Sequence, residues 1–276
     1  REYPLADRKA SGDLVAPIFN GWTPNVDGSV TMLFGFANRN REEIVDIPLG
    51  PNNYIEPAQF DGAQPTHFPV YNRGGFIGIN ERGAFAVTVP ADMAGTEVVW
   101  TLKHAGYEYS VPGRATSTTY EMSDGERALG SLAPAIRFEL DGAESTTREG
   151  ITAARVTASV GNPVNLSAYV QDRGNRADYP EQAKLLFYPL TTDWVMHQGS
   201  AAPDFERSLT LDVDRAAEGI SQLSADDWIH VQTMATFSEP GEYIIRLRAS
   251  NFAAPDSRFD NVCCWSNAYV PVTVTE

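Results

Sequence analysis

Cysteine is nearly absent from this sequence. The 276-residue chain holds two, Cys263 and Cys264, and they are neighbours. Adjacent cysteines lack the spacing of a zinc ligand set. Histidine is also sparse: His67, His104, His197 and His230 are the full complement, and no two stand at metal-ligand spacing. No apolar run approaches the roughly 18 residues that a membrane-spanning helix needs. Gly-x-Ser-x-Gly, His-Glu-x-x-His and Walker-type phosphate loops are all missing, and no nucleophile–base pair or carboxylate pair stands out. The expectation is a protein that is not an enzyme, with no catalytic residues to name. Positive charge is short as well. Against 36 acids there are 21 bases, giving a net charge of −15. Residues 1–133 carry 16 acids and 10 bases, and residues 134–276 carry 20 and 11, so the acidity is spread and not a tail. Such a polyanion is repelled by phosphate backbones and by anionic lipid, so no nucleic-acid partner and no membrane insertion are expected, and binding to anionic lipid is disfavoured.

What is present is a pattern of short strands. In 29–36 the residues Val30, Met32, Phe34 and Phe36 alternate with Thr31, Leu33 and Gly35, the period of a half-buried strand. Ile44–Ile47, Phe76–Ile79, Ala84–Val89, Val98–Leu102 and Tyr107–Val111 continue the series, with Asn80–Gly83 read as a hairpin loop. Composition shifts after Pro112-Gly113, which places a domain boundary near Ala133-Pro134. The strand pattern restarts at Ile136, Phe138 and Leu140, and runs through 151–160 and Val164–Val170. The segment 171–232 is less regular and reads as a long insertion. Thr233–Phe237 and Glu242–Ala249 read as a hairpin, with Tyr243, Ile245, Leu247 and Ala249 on its buried face. Pro271 in the last strand, Ala268–Val274, argues for an edge position. The fold class expected is all-β: two tandem Ig-like antiparallel β-sandwich domains, 1–133 with an extended N-terminal segment and 134–276 with its insertion at about 171–232. A chain beginning at Arg1 and not at Met further suggests a mature chain after signal-peptide removal, with a periplasmic, extracellular or cell-surface address.

Two stretches carry a resemblance. Thr236-Phe237-Ser238-Glu239-Pro240-Gly241-Glu242-Tyr243, leading into Ile244–Ala249, resembles the Pro-Gly-x-Tyr turn and long strand of PKD-type and related Ig-like modules. Gly161-Asn162-Pro163-Val164-Asn165-Leu166 resembles the start of their second strand. The segment 171–232 departs from that pattern. In the first half, Phe34–Asn40, Ile47–Asn53, Gly62–Phe68 and Val99–Leu102 resemble modules of secreted bacterial proteins with no assigned activity. The resemblance implies secretion and sandwich architecture, and adds no catalytic residue.

Few residues remain as candidates for contact. A bond between Cys263 and Cys264 would close a strained ring, because neighbouring Cα atoms lie about 3.8 Å apart whereas disulfides prefer roughly 4.4–6.8 Å. That ring, enlarged by Trp265, would make a flat plate for a sugar face or a partner side chain. It also reads as a turn lock before the last strand, or as two reduced thiols. Trp194 and Trp228, in the irregular segment, and Trp265 are the aromatics expected to be exposed. His67, in the loop Gln64–Phe68, is the histidine best placed for contact. No cofactor or metal is expected. Calcium would need Asp172, Asn175 and Asp178, among which Arg173 and Arg176 oppose a cation. The function expected is a non-enzymatic structural or interaction protein, a subunit or accessory component of a cell-surface or periplasmic assembly with a protein partner or a second copy of itself. The alternative is a carbohydrate-binding module built on exposed Trp and the cysteine plate.

Overall fold

The structure, a computed structural model, describes residues 7–71, 79–128, 130–145, 147–174, 190–206, 209–211, 228–251 and 264–276. In the first half β1 (Val15–Pro24) and β2 (Val30–Asn38) form an antiparallel hairpin about the turn at Asn25–Gly28. β6 (Asn80–Val89) pairs with the other side of β2. Facing them is a second sheet of β4 (Asn53–Glu56), β7 (Val98–His104) and β8 (Tyr107–Gly113). The short pair β3 (Val45–Asp46) and β5 (His67–Phe68) lies beside them. Alternation puts Met32, Phe34, Phe36, Phe85, Trp100 and Leu102 into one core. Phe34 stacks on Phe85 with centroids 5.3 Å apart, and Trp100 meets Phe85 edge-on at 4.9 Å.

In the second half one sheet runs β14 (Asp204–Phe205), β16 (Ile229–Thr236), β12 (Val164–Gln171), β9 (Ala135–Arg137). The other runs β10 (Ile151–Thr152), β18 (Trp265–Thr275), β17 (Gly241–Ser250), β13 (Thr191–Gln198), β15 (Leu209–Leu211), with β11 (Val156–Ser159) also on β18. This is the immunoglobulin-like arrangement of two sheets about one core. Two further features of that arrangement, a buried tryptophan and a tyrosine corner, are also present. Trp194 of β13 is buried in the core with Leu166 and Ile245. The Tyr243 hydroxyl, at the start of β17, donates to the Glu239 carbonyl at 2.9 Å and so ties the corner between the two sheets. The chain is therefore all-β, two tandem Ig-like sandwiches, with β10 and β11 joined to β18 in parallel and the other ladders antiparallel among the described residues.

Several sequence expectations fail for definite reasons. Thr233–Phe237 and Glu242–Ala249 do not form a hairpin: β16 and β17 lie in different sheets, and the Glu239-Pro240-Gly241 turn crosses between them. Pro271 is not on an edge. It lies opposite Ile244 on one side, and on the other falls between Tyr269, where β10 pairing ends, and Val272, where β11 pairing begins. A residue without N–H is tolerated at that break. The segment 171–232 is not one insertion, since β13, β14, β15 and the start of β16 lie in it. Asn80–Gly83 is not a loop but the first part of β6, with Glu81 opposite Phe36. Finally, β2 is buried on both faces. Leu33, expected toward solvent, is covered by Trp265 of the second sandwich and Met122 of the connecting segment, and Thr31 is buried with bonds to Asn25 and Thr88.

Candidate functional site

The outer face of β17 and β18 lies against the outer face of β2 and β6, the end of β13 lies against β5 and the loop before it, and this seam holds the unusual chemistry. Cross-strand register places Arg246 beside Tyr269 and Arg248 beside Asn267 on that outward face. Arg246 is an ion-pair partner of Glu81, and both are almost fully buried. Its other terminal nitrogen donates to the Ala84 carbonyl at 2.5 Å. Tyr71 donates its hydroxyl to the second Glu81 oxygen. Asn267 donates to the Gly83 carbonyl at 2.8 Å, and the Gly83 N–H donates to Asn20 at 2.8 Å. Gly83 has a φ of +60°, and a Cβ there would stand 1.4 Å from the Trp265 indole nitrogen. Only glycine allows both the bulge and the approach of that ring. Trp265 then closes a small apolar cluster with Leu33, Ala86 and Met122.

A second group of bonds joins the loop before β5 to the end of β13. The Thr66 N–H donates to the His197 carbonyl at 2.8 Å, and Gln198 donates to the carbonyls of Gly62 (2.9 Å) and Gln64 (2.8 Å). The His197 ring donates through Nε2 to the Ala63 carbonyl at 2.8 Å, which leaves Nδ1 as the acceptor nitrogen. Burial pushes the His197 pKa down to about 4, partly offset by the Ala63 carbonyl. Burial likewise pushes Tyr269 up to about 12, against the opposing charge of Arg246. Two cavities flank the strand-leading segment Arg148–Gly150. One, of about 320 Å³, is bounded by Ala63, Glu149, His197 and Tyr269. The other, of about 210 Å³, is bounded by Asn25, Glu144, Arg148, Arg173 and Asn267.

The sequence candidates fall differently. Trp194 is 2 % exposed in the second core and Trp265 is 3 % exposed in the seam, so neither offers a face to a sugar. Trp228 is half-buried beneath the Arg137 guanidinium, 4.2 Å from its ring centroid, with Arg173 beyond at 5.8 Å. Both guanidiniums bond Glu144, and Arg173 first among them holds its carboxyl below the usual carboxylate range against the opposing effect of burial. His67 is a strand residue and not a loop residue. It is buried and donates from Nδ1 to Asp46 across the β3–β5 pair at 2.7 Å. Cys264 is buried, and Cys263 lies outside the described residues, as do Asn175 and Asp178 of the calcium expectation. Asp172 already accepts from Gly174 and Asn251. Among the described residues no cluster of His, Cys, Asp or Glu is arranged to hold a metal ion. Sequence reasoning passed over Glu81, Arg246, His197, Asn267 and Arg148. In a strand, outward charges read as a solvated face until something packs on it.

No protein-family profile matches the sequence, and no curated protein matches it. Among solved structures the chain is similar to the D0-D1 domain of intimin, at 10 % identity and TM-score 0.27, over 94 % of this chain and 97 % of that one. It is also similar to domains 4 and 5 of the S-layer protein SbsC, at 11 % identity and TM-score 0.26, over 66 % of each chain. A third likeness is to the ASH/PapD-like domain 7 of human CEP192, at 8 % identity and TM-score 0.30, over 53 % of this chain and 88 % of that one.

Proposed function

We propose that this protein is a non-enzymatic, extracytoplasmic structural or interaction protein that holds a fixed place in a cell-surface or periplasmic assembly. The observation that carries the reading is the seam. A buried ion pair, a buried tryptophan and the main-chain carbonyls of Gly62, Ala63, Gln64, Gly83 and Ala84, engaged by side chains of the opposite sandwich, fix the angle between the halves. Tandem domains joined by a polar or loose interface move relative to one another by default. A clamp of this kind suits a part whose task is to present two surfaces at a set geometry. The surfaces themselves are strand edges. Among the described residues β14 pairs only with β16, β15 only with β13, and β8 only with β7. Such edges take a partner by strand addition. Trp194 lies in the second core and Trp265 in the seam, which removes two walls of the sugar platform. The test is native mass spectrometry of the protein isolated from its source under mild conditions. A mass of several chains in constant stoichiometry is expected, and a monomer at every concentration would overturn the reading.

A further inference from the structure

We infer that the cavity on the Arg148 side of the seam binds the free C-terminal residue of a partner polypeptide, through its α-carboxylate and the N–H on the same carbon. The inference rests on the assembly reading and names the chemistry of one contact within it.

Arg148 carries it. Its side chain is 11 % exposed, and its nearest anionic atom is an Asp124 carboxylate oxygen 3.5 Å from Nη2, on a residue that is itself half in water. Nη1 is buried, and no described protein atom accepts from it. A guanidinium is a planar fork whose paired N–H groups match a carboxylate, and a buried cation without its counter-charge is costly. The remaining carboxylate at the cavity, Glu144, is committed to Arg137 and Arg173, so it does not answer Arg148. Burial also lowers the Arg148 pKa, with Asp124 opposing, the sign of an under-compensated charge.

Asn267 adds the second half of the match. Its amide nitrogen is held by the Gly83 carbonyl, whereas its buried Oδ1 has no described donor. One cavity is therefore lined by two residues, Arg148 and Asn267, that each carry an unpartnered polar atom. A carboxylate alone answers the first. A C-terminal amino-acid residue answers both. The volume, about 210 Å³, is the share of roughly seven waters at about 30 Å³ each, which suits one residue and excludes a folded surface.

The test is calorimetric titration of the full chain with N-acetyl-triglycine bearing a free C-terminus, with its C-terminal amide, and with acetate. The acid is expected to bind saturably; the amide lacks the charge-assisted bond to Arg148 and acetate lacks the N–H for Asn267, and each should bind at least about tenfold more weakly. Arg148→Met should abolish binding of the acid, and Arg148→Lys should weaken it. A second readout separates this from a structural role. Without peptide, Arg148→Met should unfold at the same temperature as the wild type or higher, because it removes an under-paired buried charge. A lowered melting temperature together with unchanged peptide binding would overturn the inference. So would equal binding of acetate, which would make the cavity a site for small carboxylates, and so would no saturable binding by any probe. Native mass of Arg148→Met distinguishes the two readings. An intact assembly alongside failed titrations rejects the cavity and leaves the assembly standing.

Discussion

His197 is the residue whose chemistry is most exposed to solution conditions, although the ring itself is 2 % exposed. In the unfolded chain it takes a proton near pH 6.5, the ordinary value, whereas in the fold it resists until about pH 4. Between those values the unfolded state binds more protons, so stability falls as pH drops through that window and is unaffected above it. From pH 7 to pH 5 the loss attributable to this ring is about 2 kcal/mol. His197→Gln keeps an N–H for the Ala63 carbonyl but does not titrate. Denaturant midpoints of both proteins at both pH values should show the loss in the wild type only, and equal losses would remove His197 from the account. The cysteines give a second prediction at this scale. If Cys263 and Cys264 are bonded, intact mass in denaturant is unchanged by alkylation and gains two adducts after reduction. Two adducts without reductant would show free thiols.

At the scale of elements, the legible strands were those with strong apolar residues on one face. Tyr243, Ile245, Leu247 and Ala249 mark β17 plainly. β13 was missed because Thr192 and His197 share its buried positions with Trp194 and Met196, so alternation is diluted by polar side chains that the seam and core satisfy. The start of β6 was missed because Glu81, a charge inside a strand, reads as a turn until its partner Arg246, 165 residues away, is known. Pairings over such separations leave no local trace, so most of the fold was readable and almost none of the seam. The Tyr243 corner is a local device with a local test. Its hydroxyl donates to the Glu239 carbonyl and meets Ser200 at 2.9 Å. Tyr243→Phe keeps the ring against Phe237 and should cost about 1 kcal/mol in a denaturant titration, with the sheets still formed. A loss near that of cavity creation, roughly 3–5 kcal/mol, would mean that the ring had moved as well.

For the whole molecule the question is whether two sandwiches behave as one body. Both halves carry net negative charge, which favours separation, so the seam must supply the cohesion. It does so with groups whose isolation is costly. Arg246→Met leaves Glu81 buried with Tyr71 and without its cation, a change expected to cost roughly 3–5 kcal/mol. Trp265→Ala opens a hole among Leu33, Ala86 and Met122 and should cost a similar roughly 3–5 kcal/mol, opposite to the harmless outcome expected of an exposed binding wall. The paired replacement Arg246→Met with Glu81→Leu removes both charges together, so it should recover most of the loss. Wild type should unfold in one transition followed by both near-ultraviolet and far-ultraviolet dichroism, because each sandwich buries part of the other's sheet. In Arg246→Met the cohesion is spent on an unanswered charge, so the halves should unfold in two separated transitions, and the double variant should restore one. A single transition in all three proteins, at equal midpoints, would mean that the ion pair fixes the angle between the sandwiches without contributing to their common stability.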